Sequence, residues 1–151
     1  MRTVDPTGEA PPAAVPLQLR TPPTRPAVLL VEDDQINQMV AAAFLQSLGF
    51  ADVRTAGNGR EALALCAAND FGLVLMDCLM PEMDGLEATR RLRAAGFDRP
   101  VIALTAGTDQ DDIERCLAAG MNDHLPKPID LPRMAAALTR WAGQGAPAAL
   151  N

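Results

Sequence analysis

Between residues 27 and 142 a short apolar run gives way to a helical pattern, and the sequence does this five times. The runs are "AVLLV" (27–31), "ADVRTA" (51–56), "GLVLM" (72–76), "PVIALTA" (100–106) and "DHLPK" (123–127). Each has the length of a strand. Ile36, Met39, Val40, Ala43, Phe44 and Leu48 then mark the apolar face of a helix that Gly49 ends, and a second helix is expected from about Gly59 to Ala68. Leu86, Thr89 and Leu92 mark a third, ending near Gly96; Ile113, Cys116 and Leu117 mark a fourth, stopped by Gly120. Asp130 can cap a fifth, with Pro132 in its first turn and Met134, Leu138 and Trp141 on one face.

Such alternation leaves few folds open. Strands that are apolar throughout must be covered on both sides, and helices are the only elements between them. The expected fold is therefore α/β: a doubly wound five-stranded parallel sheet, (βα)5, with right-handed crossovers. A chain of 151 residues fits one such domain. Residues 1–26 hold seven of the 13 prolines and little apolar periodicity, so they are expected to form a disordered tail or linker. Residues 27–142 are the expected domain, and 143–151, "GQGAPAALN", a frayed C-terminal tail.

The net charge of −6 argues against direct nucleic-acid binding, which calls for a basic patch. The apolar runs fall far short of the ~20 residues of a membrane span, and the N-terminus lacks the apolar stretch of a signal peptide. Cys66, Cys78 and Cys116 are odd in number and widely spaced, which signals neither a disulfide framework nor a zinc site. They read as small buried hydrophobes of a cytoplasmic protein, with no resolving cysteine near Cys78.

The informative polar residues fall at strand ends. The first strand runs into Glu32, Asp33 and Asp34, the third into Asp77, the fourth ends on Thr105 and the fifth on Lys127. In open parallel sheets, ligands bind beyond the carboxyl ends of the strands. Singly, each residue has a plain structural use: Asp34 as a helix cap, Asp77 as a turn residue, Thr105 as a β-branched strand residue, Lys127 as a solvated charge. Those uses do not predict four consistent placements. Crowded carboxylates require a cation, and a few oxygen donors suit Mg²⁺. A carboxylate beside Mg²⁺ can attack phosphorus and form an aspartyl phosphate, whose oxygens a hydroxyl and an ammonium can neutralise. Lys127 is the one lysine beside twelve arginines. A compact ammonium fits a cramped pocket where a planar guanidinium does not.

These residues carry a family resemblance. "LLVEDDQINQ" (29–38), "LVLMDCLMPEMDGLEATRRLR" (73–93), "PVIALTAG" (100–107) and "GMNDHLPKPID" (120–130) resemble the receiver domain of bacterial response regulators (CheY-like), with wording similar to receivers of hybrid histidine kinases and phosphorelays. The resemblance spans roughly 27–142. It implies the flavodoxin-like strand order 2-1-3-4-5, Asp77 as phosphoacceptor, and a histidine kinase or histidine phosphotransfer protein as donor. It also implies Mg²⁺ held by Glu32, Asp33, Asp77 and the backbone carbonyl of Leu79. Thr105 and His124 are then the switch residues, Lys127 pairs the phosphoryl group, and the Lys127–Pro128 bond is cis. A dimer formed on phosphorylation is left open, and the only chemistry implied is self-catalysed phosphotransfer and dephosphorylation. Asp34 departs from the Asn common there, and His124 from a larger ring. Leu79 and Gly107 lack the amide or carboxylate that could hold a hydrolytic water, which implies a long-lived phosphoryl group. Met80 and Met83 are expected to pack.

Two other classes remain. A Mg²⁺-dependent phosphatase with an Asp nucleophile would want a second acid where Leu79 stands. A degenerate receiver could act as a binding module without phosphorylation, although every matching position is filled. A flavodoxin would want aromatic rings, and the chain has no Tyr; a P-loop is absent. No effector domain is expected after residue 142, so a single-domain regulator and a receiver from a larger hybrid kinase are both consistent.

Overall fold

The computed structural model describes residues 26–80, 83–106 and 109–142. The two expected tails, apart from Pro26, lie outside the described residues, as does Gly107. The elements alternate as β1 (Val28–Val31), α1 (Gln35–Ser47), β2 (Val53–Ala56), α2 (Gly59–Ala68), β3 (Leu73–Asp77), α3 (Gly85–Ala94), β4 (Val101–Thr105), α4 (Gln110–Ala119), β5 (Asp123–Pro126) and α5 (Leu131–Trp141). All strand pairs are parallel, in the order β2-β1-β3-β4-β5. Lys127, expected within the last strand, lies one residue past it. The Lys127–Pro128 peptide is cis, as the resemblance implies.

Strand alternation divides the core in two. Val28, Leu30, Leu73, Leu75, Ile102 and Leu104 face α1 and α5 and pack on Leu45, Met134 and Leu138. Leu29, Val31, Val74, Met76, Val101 and Ala103 face the other way, onto Ala62, Ala88, Leu92 and Cys116. The central strands β1, β3 and β4 are buried at every position, whereas β2, at an edge, is largely exposed. That difference is why "ADVRTA" can carry Arg54 and Thr55 within the strand, both exposed.

Four of the five helices, all but α4, start on side chains that take up otherwise unpaired backbone N–H groups. Asp34, Asn58, Asp84 and Asp130 accept from the third residue on, at 2.8 to 3.0 Å. Asp34 is thus a helix cap. The apolar spacing of α1 marks a face that is only partly buried. Ala41 and Leu45 face the core with Phe44 and Leu48 beside them, while Ile36 and Met39 are 71% and 69% exposed. This corrects the expected apolar face: Ala41 and Leu45 are not part of it, Ile36, Met39, Val40 and Ala43 of the expected set are exposed, and only Phe44 and Leu48 border the core, because the helix is rotated about its axis relative to the stripe that the spacing predicts. Met83 is buried and Met80 packs against the same cluster, as expected.

Gly85, at the start of α3, is a point of close approach. A Cβ there would fall onto the Asp77 carbonyl oxygen and within 2.9 Å of Met76 Cγ. Gly85→Ala should therefore destabilise by about 1–3 kcal/mol, the usual cost of overpacking, by pushing α3 away from the end of β3. Chemical denaturation checks this, and a variant as stable as the parent would contradict the close packing.

Candidate functional site

Beyond the carboxyl end of the sheet, backbone bonds fix where the polar side chains stand. Cys78 N–H donates to the Leu104 carbonyl at 3.1 Å and Lys127 N–H to the Thr105 carbonyl at 2.7 Å, so β3, β4 and β5 end level with one another. Glu32 N–H donates to the Ala56 carbonyl at 2.9 Å, which sets the end of β1 beside β2. Glu32, Asp77 and Thr105 are all nearly inaccessible, at 1%, 3% and 4% exposure.

Lys127 Nζ lies 3.1 Å from Glu32 Oε1 and 3.1 Å from Asp77 Oδ1. The single lysine therefore joins two acids that lie far apart in the sequence, at the ends of β1 and β3, and that share its ammonium in space. Glu32 Oε2 accepts the N–H of Asp34 at 3.2 Å, and Asp77 Oδ1 that of Leu79 at 3.2 Å. Among the described residues Glu32 Oε1 has no aligned hydrogen-bond donor, although it is buried. Its contact with Lys127 is a charge contact, not a directed bond. Burial pushes the Asp77 carboxyl up to about 6, against the pull of Lys127 and with added repulsion from Glu32. Burial works to lower Lys127, but the combined attraction of the Glu32 and Asp77 carboxylates outweighs it and the ammonium is held above its ordinary value.

Glu32, Asp33 and Asp77 bring carboxylate oxygens within 4.8 Å of one another. Only Asp33 of the three is exposed. An oxygen-only donor set with a buried, undirected carboxylate oxygen fits a small hard cation such as Mg²⁺, which takes few carboxylates and keeps waters. Asp34 stands apart from this cluster.

Thr105 and His124 share one sheet face. His124 is in register with Ala103, and Thr105 lies two residues further along β4. The His124 imidazole is partly exposed, with Nδ1 3.9 Å from Asp123 Oδ1. Asp123 in turn accepts from Trp141 Nε1 at 2.8 Å, which ties α5 to β5.

Two features escape a reading of the sequence. One is the sulfur pair: Cys78 Sγ and Cys116 Sγ are 3.4 Å apart. This corrects the expectation that no resolving cysteine lies near Cys78, because the partner comes from a helix far along the chain. The other is an apolar rim. Ile36, Met39 and Val40 on α1 and Leu79 after β3 are exposed at the end of the sheet that holds Asp77. Leu79 is 72% exposed.

Comparison with known proteins agrees with this fold. A family model described as the response regulator receiver domain matches residues 28–139. The receiver domain of a Pseudomonas aeruginosa sensor histidine kinase, solved with magnesium coordinated in its active site cleft, is 43% identical. It matches with a TM-score of 0.72 over 79% of this chain and 98% of that one. The Saccharomyces cerevisiae receiver domain of Ssk1, solved with the histidine phosphotransfer protein Ypd1, is similar too. There the TM-score is 0.75 and the identity 29%, over 84% of this chain and 97% of that structure's chain. Two-component system protein A of Emericella nidulans is 34% identical over 94% of this chain, which spans only 22% of that protein's length. The Escherichia coli sensor histidine kinase RcsC and the Saccharomyces cerevisiae osmosensing histidine protein kinase SLN1 are also similar, and the chain spans 12% and 10% of their lengths. No helix among the described residues is long and apolar enough to cross a membrane. With the strand order, the level strand ends and the matched family model all in agreement, the chain belongs to the response regulator receiver domain family of two-component and phosphorelay signalling.

Proposed function

We propose that this receiver takes a phosphoryl group onto Asp77 from a phosphohistidine in a Mg²⁺-dependent transfer, in the cytoplasm. The observation that carries the reading is the shared ammonium: Lys127 Nζ sits 3.1 Å from both Glu32 Oε1 and Asp77 Oδ1 beside a cluster of acids. Lys127 and the Leu79 N–H both hold Asp77 Oδ1, which fixes the carboxylate plane and leaves Oδ2 for the new bond. The carboxylate form is the nucleophile, and with a value pushed up to about 6 Asp77 is largely ionised at neutral pH. As the P–O bond to Asp77 forms, the P–N bond to the donor imidazole breaks and the imidazole leaves neutral once protonated. Lys127 then pairs with a phosphoryl oxygen, and Thr105 hydroxyl turns toward another. Glu32, Asp33, Asp77 and the Leu79 carbonyl would hold Mg²⁺, which would neutralise charge on the acids and the transferring group.

The Thr105–His124 face is the proposed output, since a Thr105 drawn toward the phosphoryl group changes what His124 packs against. The exposed Ile36, Met39, Val40 and Leu79 offer an apolar seat beside Asp77 for the donor, a histidine kinase or a histidine phosphotransfer protein such as the one seen on the similar yeast receiver. The test is intact mass spectrometry after incubation with a small phosphodonor and Mg²⁺. One phosphoryl mass should be gained, and none after chelation. An unchanged mass with Mg²⁺ present would sink the proposal.

The phosphoryl group should persist. Hydrolysis needs a water held in line with the Asp77–phosphorus bond. Leu79 flanks that approach, is exposed and has no hydrogen-bonding group. Leu79→Asn is expected to speed loss of phosphate several-fold from purified protein with Mg²⁺. A rate equal to the parent's would place control of hydrolysis elsewhere.

A further inference from the structure

The two sides of the sheet diverge at the end of β3. Alternation turns Asp77 toward α1 and α5, and Cys78 toward α3 and α4, where it packs against the cluster that includes Cys116. The sulfurs are then 3.4 Å apart. Both thiols line one cavity of about 300 Å³, together with Leu79, Asp84, Thr105 and Arg115. Cys78 is partly exposed there and Cys116 is buried behind it. The third cysteine, Cys66, lines a different hollow with Phe71 and Phe97.

We propose that Cys78 and Cys116 form a redox-active dithiol, closed into an intramolecular disulfide by a low-molecular-weight disulfide that enters this cavity. Burial and the neighbouring Cys116 thiol push the Cys78 thiol well above its ordinary value, so its thiolate forms rarely and the reaction is slow. The thiolate, once formed, attacks one sulfur of the oxidant and displaces its first thiolate, leaving a mixed disulfide. The Cys116 sulfur attacks the Cys78 sulfur and displaces the second thiolate. The two protein thiols lose two electrons and two protons, and the oxidant is reduced to two thiols. The partly exposed sulfur meets the oxidant and the buried one resolves it.

Closure has a consequence for signalling, which rests on the phosphoacceptor reading above. The sulfurs draw in from 3.4 Å to a bond of about 2.05 Å. That ties α4 to the residue that directly follows Asp77 at the end of β3, in the wall of the cavity that Thr105 also lines. A displacement on the order of 1 Å among reacting groups can cost ~100-fold in rate. The oxidised form therefore accepts phosphate several-fold more slowly.

The full chain is incubated for hours with glutathione disulfide, and then examined by intact mass and by peptide mapping without reduction. The parent and Cys66→Ser should each lose the mass of two hydrogen atoms and yield one cross-linked peptide pair containing residues 78 and 116. Cys116→Ser and Cys116→Ala should stop at a mixed disulfide on Cys78. Separate glutathione adducts on both cysteines of the parent, a cross-link through Cys66, a dimer or no reaction would each overturn the proposal. Phosphorylation by a small phosphodonor is then timed for reduced and oxidised protein. Slower labelling that dithiothreitol restores supports the regulatory half, and equal rates overturn it. A reduced protein that takes no phosphoryl group would instead overturn the phosphoacceptor reading, while the cross-link is still read by mass.

Discussion

Asp77→Asn should take up no phosphoryl group and, in metal-free buffer at neutral pH, should be more stable than the parent by about 1–3 kcal/mol. The first expectation follows because the amide oxygen of Asn is a poor nucleophile and no other carboxylate shares the position held by Lys127 and the Leu79 N–H. The second follows from the same burial. Folding forces a carboxyl with an ordinary value of 3.8 up to about 6, which means the ionised form is disfavoured in the folded state. The folded protein binds more protons than the unfolded chain between those values, so stability falls as pH rises through the window. Asn removes that charge and leaves Lys127 paired with Glu32, a balanced pair. The advantage of the variant should be full above pH 6 and fade as pH falls toward 4. Adding Mg²⁺ should narrow it, because a cation at the cluster stabilises the parent. Intact mass and denaturation curves at several pH values check both halves. A phosphoryl mass on the variant equal to that on the parent would end the assignment of Asp77.

Lys127→Ala should be destabilised by about 3 kcal/mol in metal-free buffer, the lower end for breaking a buried ion pair. It leaves Glu32 and Asp77, both almost wholly buried, as facing carboxylates with no cation. One of the two then stays protonated to a higher pH, so the loss should shrink on acidification. Mg²⁺ should raise the denaturation midpoint of the variant more than that of the parent. Lys127→Arg separates charge from shape. Its guanidinium preserves the charge, so stability should stay close to the parent's, but the planar fork cannot act as a point donor between two acids and a phosphoryl oxygen. Phosphorylated parent should show changed amide chemical shifts around Thr105 and His124, and the Arg variant weaker changes. If the Arg variant reproduced them in full, the chain's use of one lysine among twelve arginines would have no explanation in this pocket.

The sequence by itself determined the order and kind of the elements. Strands buried on both faces must be apolar at every position, so β1, β3 and β4 stand out at once, and the caps Asp34 and Asp130 announce the helices they start. It also placed Glu32, Asp77, Thr105 and Lys127 on one rim, because a parallel sheet sends every strand's carboxyl end the same way. Strand order came from the family resemblance, since alternation alone allows several. What only the tertiary structure decided depends on rotation and on distance along the chain. The apolar spacing of α1 pointed to a face offset from the one that meets the sheet, since the buried Ala41 and Leu45 lie outside it. The helix axis leaves Ile36 and Met39 in solvent while Ala41 and Leu45 take the core. Nor does spacing reveal that Cys116, on a helix packed across the sheet, reaches Cys78. Local periodicity records which residues share a face of one element. Contacts between elements arise from packing, and no spacing within either element encodes them.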